Sequence, residues 1–275
     1  MLSREFKTLL VREIQESLRN KWLIIYAVIY AVLGLSLSYY SVLGLSYLGL
    51  KAFGRVSAAL VNLTLYMVPL MSLSLAGLSL VTEREKNTLE MLLAQPVSKT
   101  EVAVSRYLGI TLSIFLSTLL GYGLAAWYLW LVLSSGDIVV FLQLMLISLL
   151  AASTLSAVGL LISILSRTRF EALATVLLTW LTLVVIYDLL VMGVTLIADL
   201  KVADILNLLI LNPVESARIL MVQALDPSLL LLGPTGLYIT RTLGSLITLA
   251  FTTSMLAWTA ACLAAAIVLF NRQDL

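Results

Sequence analysis

The chain has 275 residues, 61% of them hydrophobic and only 12% charged, with a formal net charge of +2 and a mean hydropathy of +1.07. Soluble domains carry about 25% charged residues, so this chain has too little polar surface to cover a core in water, and its near-neutral balance gives no nucleic-acid footprint. A single cysteine, Cys262, excludes an intrachain disulfide and a cysteine-cluster metal site, and the lack of histidine excludes histidine catalysis, ligation and proton relays.

Residues 1–21 predict an amphipathic interfacial helix. Phe6, Leu9, Leu10, Ile14 and Leu18 recur at helical spacing, and Arg4, Lys7, Arg12, Glu13, Glu16 and Arg19 fill the other face. No cleavable signal is expected, because the apolar run that starts at Trp22 exceeds the roughly 7–15 residues of a signal core.

Crossing the hydrocarbon takes about 20 apolar residues, and on that measure the sequence predicts an all-α integral membrane protein with six transmembrane helices. The first runs from Trp22 to near Leu45, and the second from Ala58 to Val81 with a kink expected at Pro69. The third follows Arg106 and ends near Leu133; Ser134 to Asp137 form a turn before the fourth, Ile138 to Ser166. Arg167 to Glu171 make a second tight turn, the fifth starts at Ala172, and the sixth runs from Leu243 to Phe270 ahead of a charged tail. With the N-terminus cytoplasmic, twelve lysines and arginines fall inside and five outside, so both termini are expected in the cytoplasm.

Two connections are longer than turns. The outer one, residues 198–240, stays rich in leucine and isoleucine and carries Pro213, Pro227 and Pro234, which suggests re-entrant or capping helices. The cytoplasmic one, residues 82–106, is the more informative. Thr82 with Glu85, and Ser98 with Glu101, have capping-box spacing, and Asn87 suits a sharp turn. Leu89, Met91, Leu92 and Leu93 form an apolar patch beside Glu83, Arg84, Glu85 and Lys86. A rigid charged projection of this kind can transmit force between a cytosolic partner and the membrane bundle; the alternative is a solvated loop with ordinary caps.

Within the spans, Asn62, Thr64 and Asp188 are the candidates for a substrate pathway. Asp188 lies roughly 24 Å along the helix from Ala172, which puts it near the outer interface. Met67 and Met71 share a helix face and read as core packing in preference to soft copper ligands. Ala257, Ala261 and Ala265 read as a close-packing ridge.

The stretch Glu83 to Lys99 resembles the coupling segment of permease subunits of type-2 ABC exporters, which show Glu-x-Glu-x-Gly-Thr-Leu-Glu-x-Leu-Leu followed by Pro-Val-Ser and a basic residue. Asn87 stands where that family usually has glycine. Leu18 to Trp22, Leu211 to Arg218 and Phe270 to Leu275 resemble the NosY-like subgroup. The resemblance implies an exporter permease in the cell membrane, working as a homodimer with cytosolic ABC ATPase subunits that bind ATP and magnesium. It leaves room for an extracytoplasmic accessory protein, and assigns coupling to Glu83, Arg84, Glu85, Asn87, Thr88 and Glu90. No catalytic residue, metal or cofactor is expected on this chain, which has no Gly-x-x-x-x-Gly-Lys-Ser/Thr phosphate loop. The alternative is an ATP-independent secondary transporter. That class places several polar groups at the midplane, usually in two similar halves, and no such repeat is visible here.

Overall fold

The structure is a computed structural model and describes residues 4–43, 52–94, 97–133, 138–197 and 202–273. Among them it is helical, with no strand. Six stretches are long and apolar enough to cross a membrane: Lys21–Tyr40, Ala58–Glu85, Lys99–Tyr128, Val139–Leu165, Arg169–Val194 and Thr235–Arg272.

Helix α1 (Arg4–Leu18) packs on α6 (Lys99–Leu133) and leads into α2 (Lys21–Leu43). Phe6 and Leu9 are buried as their spacing predicts, but so is Glu13, which the amphipathic pattern puts on the polar face. The approach is close because α6 presents Gly109. A Cβ there would lie 2.7 Å from the Glu13 Cβ and 3.3 Å from the Ile14 nitrogen.

The centre of the bundle is α7 (Ile138–Leu165), packed between α3 (Ala52–Gly77), α6 and α13 (Ile247–Arg272). Gly159 allows its crossing with α3, since a Cβ there would meet the Leu73 carbonyl at 2.9 Å. Pro69 lies within the continuous helix α3, and Met67 and Met71 pack against the core. The ridge of alanines is not a packing surface inside this chain. The buried face of α13 is Phe251, Met255, Cys262, Ala266 and Phe270, whereas Ala257 and Ala261 are exposed on another face of the same helix.

Several boundaries differ from the sequence expectation. The third span begins at Lys99, well before Arg106, because Ser98 and Glu101 start the helix there. The sixth is preceded by α12 (Gly233–Leu243), joined to α13 through a short tight turn at Gly244–Leu246 in which Gly244 has φ 49°. On the outer connection, α10 (Val202–Leu211) and α11 (Pro213–Leu225) form a pair bent by 107°. The bend is built locally. The Asn212 side chain accepts from the Val214 N–H at 2.9 Å, and Pro213 occupies the first helical position, where its missing N–H costs nothing.

Candidate functional site

The second span runs on past Val81, where the sequence expectation ends it. It continues as α4 (Ser79–Glu85), turns at Asn87, and returns as the short helix α5 (Thr88–Leu93). Asn87 is left-handed, with φ 56° and ψ 19°. Asparagine tolerates that region, so it fills the place of a glycine. The Thr88 hydroxyl closes the turn by donating to the Glu83 carbonyl at 3.2 Å. Leu89 and Leu92 are buried beside Leu9, Val102 and Phe270, while Glu90 and Met91 face outward.

The capping boxes divide. Ser98 and Glu101 form theirs reciprocally: the Ser98 N–H donates to the Glu101 carboxylate at 3.0 Å, and the Glu101 N–H to the Ser98 Oγ at 3.2 Å. Thr82 and Glu85 form none, because the helix is already under way at Ser79 and no free N–H groups remain at Thr82 for a cap to satisfy. Instead, the Glu85 carboxylate pairs with the Arg169 guanidinium at 2.9 Å and accepts the Arg169 backbone N–H at 2.7 Å.

Three of the charges around this turn, Glu83, Arg84 and Glu85, are paired with the rest of the chain, while Lys86 and Glu90 are exposed. Arg106 is buried and holds two carboxylates, Glu13 at 3.0 Å through Nε and Glu83 at 2.6 Å through Nη2. Burial pushes the Glu13 carboxyl up to about 7; Glu83 and Glu16 reinforce the rise and Arg106 opposes it. Arg84 donates to the Ser166 carbonyl at 3.0 Å and to the Gln273 side chain at 2.7 Å. Gln273 in turn donates to the Ile164 carbonyl at 2.9 Å and accepts Lys99 Nζ on its own carbonyl at 2.6 Å. The turn is thus tied to α1, α6, the end of α7, the start of α8 (Arg169–Leu181) and the C-terminal tail.

Of the six residues the sequence points to here, Glu83, Arg84 and Glu85 make these ties, Asn87 and Thr88 shape the turn, and Glu90 projects. The sequence reading missed the partners. The sequence puts Glu13 on the polar face of the interfacial helix, Arg106 and Arg169 among the orientation charges, and Gln273 in the C-terminal motif.

The three pathway candidates have separate environments. Thr64 is buried, accepts from or donates to the Tyr30 and Tyr122 hydroxyls, and bonds its own Leu60 carbonyl at 2.7 Å. It joins α2, α3 and α6. Asn62 is exposed on α3. Asp188 opens α9 (Tyr187–Ile197) and pairs with Arg218 at 2.8 Å; the other arm of that arginine holds Glu215 at 3.0 Å. Beside it, residues Thr182–Ile186 form a wide helical turn with i to i+5 bonding. Such a turn leaves a carbonyl to be satisfied elsewhere, and Asn212 Nδ2 donates to the Leu183 carbonyl at 2.8 Å. The Tyr187 hydroxyl donates to the Leu208 carbonyl at 2.7 Å. The fifth span is stitched here to the bent outer pair.

A bundle of six candidate spans with a turned helical projection at one end defines a multi-pass membrane subunit. Over residues 8–275 the sequence matches the family model described as ABC-2 family transporter protein, and the chain belongs to that family. It is similar to the probable ABC transporter permease protein NosY of Pseudomonas aeruginosa, at 25% identity over 225 residues, covering 80% of this chain and 82% of that one. Against the protein of the same name from Stutzerimonas stutzeri, the identity is 26% over 223 residues, 79% of this chain and 81% of the relative. The chain is the transmembrane subunit of an ABC transporter, which sets aside the secondary-transporter alternative.

Proposed function

We propose that this chain is the permease of an ATP-driven exporter in the plasma membrane, assembled as a homodimer with two separate cytosolic ATPase subunits and with both termini in the cytoplasm. The observation that carries the reading is the turn at Asn87, which exposes Lys86, Glu90 and Met91 while Glu83, Arg84 and Glu85 are tied into the bundle. An ATPase that grips the exposed edge would move α1, α6 and α8 together, because Glu83 and Glu85 bind Arg106 and Arg169. ATP then favours one arrangement of the spans over another by binding the two unequally, and the substrate passes as they alternate. A second copy has a flank to meet: Leu177, Leu178, Leu189 and Leu190 on the fifth span are exposed in the single chain.

Asp188, Asn62 and Thr64 stay candidates for the substrate pathway, in the separate environments described above. ATP, magnesium and hydrolysis belong to the partner subunits. The test is to express the chain with an ABC ATPase encoded near its gene, purify through a tag on the permease, and measure ATP turnover in liposomes. Co-purification of the ATPase in equal amount, with turnover dependent on the permease, is the expected result. A permease that purifies alone and leaves ATP turnover unaltered would sink the proposal.

A further inference from the structure

Between α1 and the root of the fifth span lies a chamber of about 920 Å³. Leu70, Leu75, Leu78 and Leu173 give it an apolar wall; of its ionic groups, Arg12 and Lys86 are exposed at the rim, while Glu13 and Arg106 are buried. Trp22 and Phe170, both strongly exposed, stand on the same lining at the foot of the first and fifth spans. Trp22 is of the amphipathic aromatic type that marks the level where headgroups meet hydrocarbon.

The ionic lining is not balanced. Arg12, Lys86, Arg106 and Arg169 line the chamber against Glu13, Glu16 and Glu83. Arg12 pairs with Glu16, Arg106 with Glu13 and Glu83, and Arg169 with Glu85. That leaves Lys86 exposed and without an ion pair among the described residues. An anion at the rim gains from Lys86, and from Arg12, whose side chain is half-exposed. A free anion would leave the leucine wall facing water, whereas an anion carrying an alkyl chain satisfies both parts. The volume lies in the range of about 300–1,000 Å³ common to small-molecule sites, and basic pockets between spans on the cytoplasmic side take lipid headgroups.

We propose that this chamber binds an anionic phospholipid of the adjoining leaflet. Its phosphodiester sits against Lys86 and Arg12, and an acyl chain runs along Leu70, Leu75 and Leu173. Bound there, the lipid lies under the Asn87 turn and beside α1, so the leaflet itself becomes part of the wall that supports the turn. The inference rests on the cytoplasmic placement of this end proposed above, and it is independent of the transport direction and of the ATPase.

The purified full chain is placed in nanodiscs of phosphatidylcholine alone or doped with phosphatidylglycerol, then released for native mass spectrometry, with thermal unfolding followed in parallel. Phosphatidylglycerol should be retained in preference to phosphatidylcholine and should raise the unfolding temperature. Lys86→Glu should lower its retention by about fivefold or more, and Lys86→Arg should restore it. Leu75→Trp, which fills the space along the leucine wall, should remove retention of both lipids. Equal retention by the parent and Lys86→Glu would overturn the proposal. So would inorganic phosphate reproducing the thermal shift, which would make this a free-anion site. Dimer-dependent protection of Lys86 from amine labelling in nanodiscs free of phosphatidylglycerol would assign the chamber to a second copy and overturn it equally.

Discussion

Arg106 of the third span holds Glu13 of the N-terminal helix in a buried ion pair, Nε to carboxylate, at 3.0 Å. Both side chains are more than nine-tenths buried, and the same guanidinium binds Glu83 beside the Asn87 turn. One arginine therefore joins the N-terminal helix to the segment proposed to meet the ATPase.

Burial raises the Glu13 carboxyl to about 7 from an ordinary value of 4.5. A carboxyl raised in the folded state binds more protons there than when undocked, so docking of α1 weakens as pH climbs from about 4.5 to about 7 and is flat above. The difference across that window is on the order of 3 kcal/mol. Amide hydrogen exchange of α1 should speed up between pH 5 and pH 8, after correction for the intrinsic rate. Glu13→Gln should abolish that extra dependence; an unaltered pH profile in the variant would remove Glu13 as its source.

Removing the arginine is a harsher change than neutralising its partner. Arg106→Ala strands Glu13 and Glu83 away from water, and breaking a buried pair in this way costs about 3–5 kcal/mol. The expected result is lower yield of folded protein and a lower unfolding temperature. Glu83→Gln in the Arg106→Ala background should recover part of the loss, because it deletes one of the stranded charges. Failure of that rescue would show that the two carboxylates do not act through Arg106.

The turn residue allows a cleaner substitution. Asn87→Gly keeps the left-handed backbone and should leave stability near the parent, whereas Asn87→Val should cost about 1–2 kcal/mol at φ 56°. Equal unfolding temperatures for the two variants would refute the left-handed turn.

The outer ion triad makes an asymmetric prediction. Asp188→Asn can still accept a hydrogen bond from Arg218, which keeps Glu215, so folding and ATP turnover should stay near the parent. Arg218→Ala leaves Asp188 and the buried Glu215 without their cation and should destabilise the chain markedly. Thermal unfolding of both variants in the same detergent checks the ranking. If Asp188→Asn abolishes transport while the complex stays assembled, Asp188 contacts substrate directly.

Much of the fold was legible because bilayer thickness imposes a length on apolar runs, and that length needs no tertiary information. The six spans follow from it, as does the Ser98 start once its capping box is noticed. What stayed hidden is tertiary by nature. Nothing in the spacing of Glu13 shows that Gly109 lets α1 come close enough for burial, or that Arg106 waits there. Thr82 and Glu85 had the correct spacing for a cap, but a helix already continuing from Ser79 left no N-terminus to cap. The outward face of Ala257 and Ala261 was equally invisible, because alanine packs as readily against a neighbour helix as it sits on an open face. At the candidate site, the motif residues were legible by resemblance; that three of them are tied inward to the bundle was not.

That inward arrangement decides which residues to change at the proposed ATPase contact. Reversing Glu83 or Glu85 breaks internal ties to Arg106 and Arg169, so a loss of function there would not separate coupling from folding. Glu90 and Met91 lie on the exposed edge of α5, with Met91 73% accessible, and make no tie to the bundle in the described residues. Glu90→Lys with Met91→Ala should therefore leave unfolding temperature and detergent behaviour unchanged. At a partner interface, a charge reversal beside a lost apolar contact removes a few kcal/mol, typically about 2–5 when the charge is hydrogen-bonded across the contact. Co-purification of the ATPase should fall by at least about tenfold on that scale, and permease-dependent ATP turnover should fall with it. Each measurement is made beside Glu83→Lys, which should lower stability as well as assembly because it breaks the tie to Arg106. An α5 double variant that assembles and turns over like the parent would remove this edge from the ATPase contact.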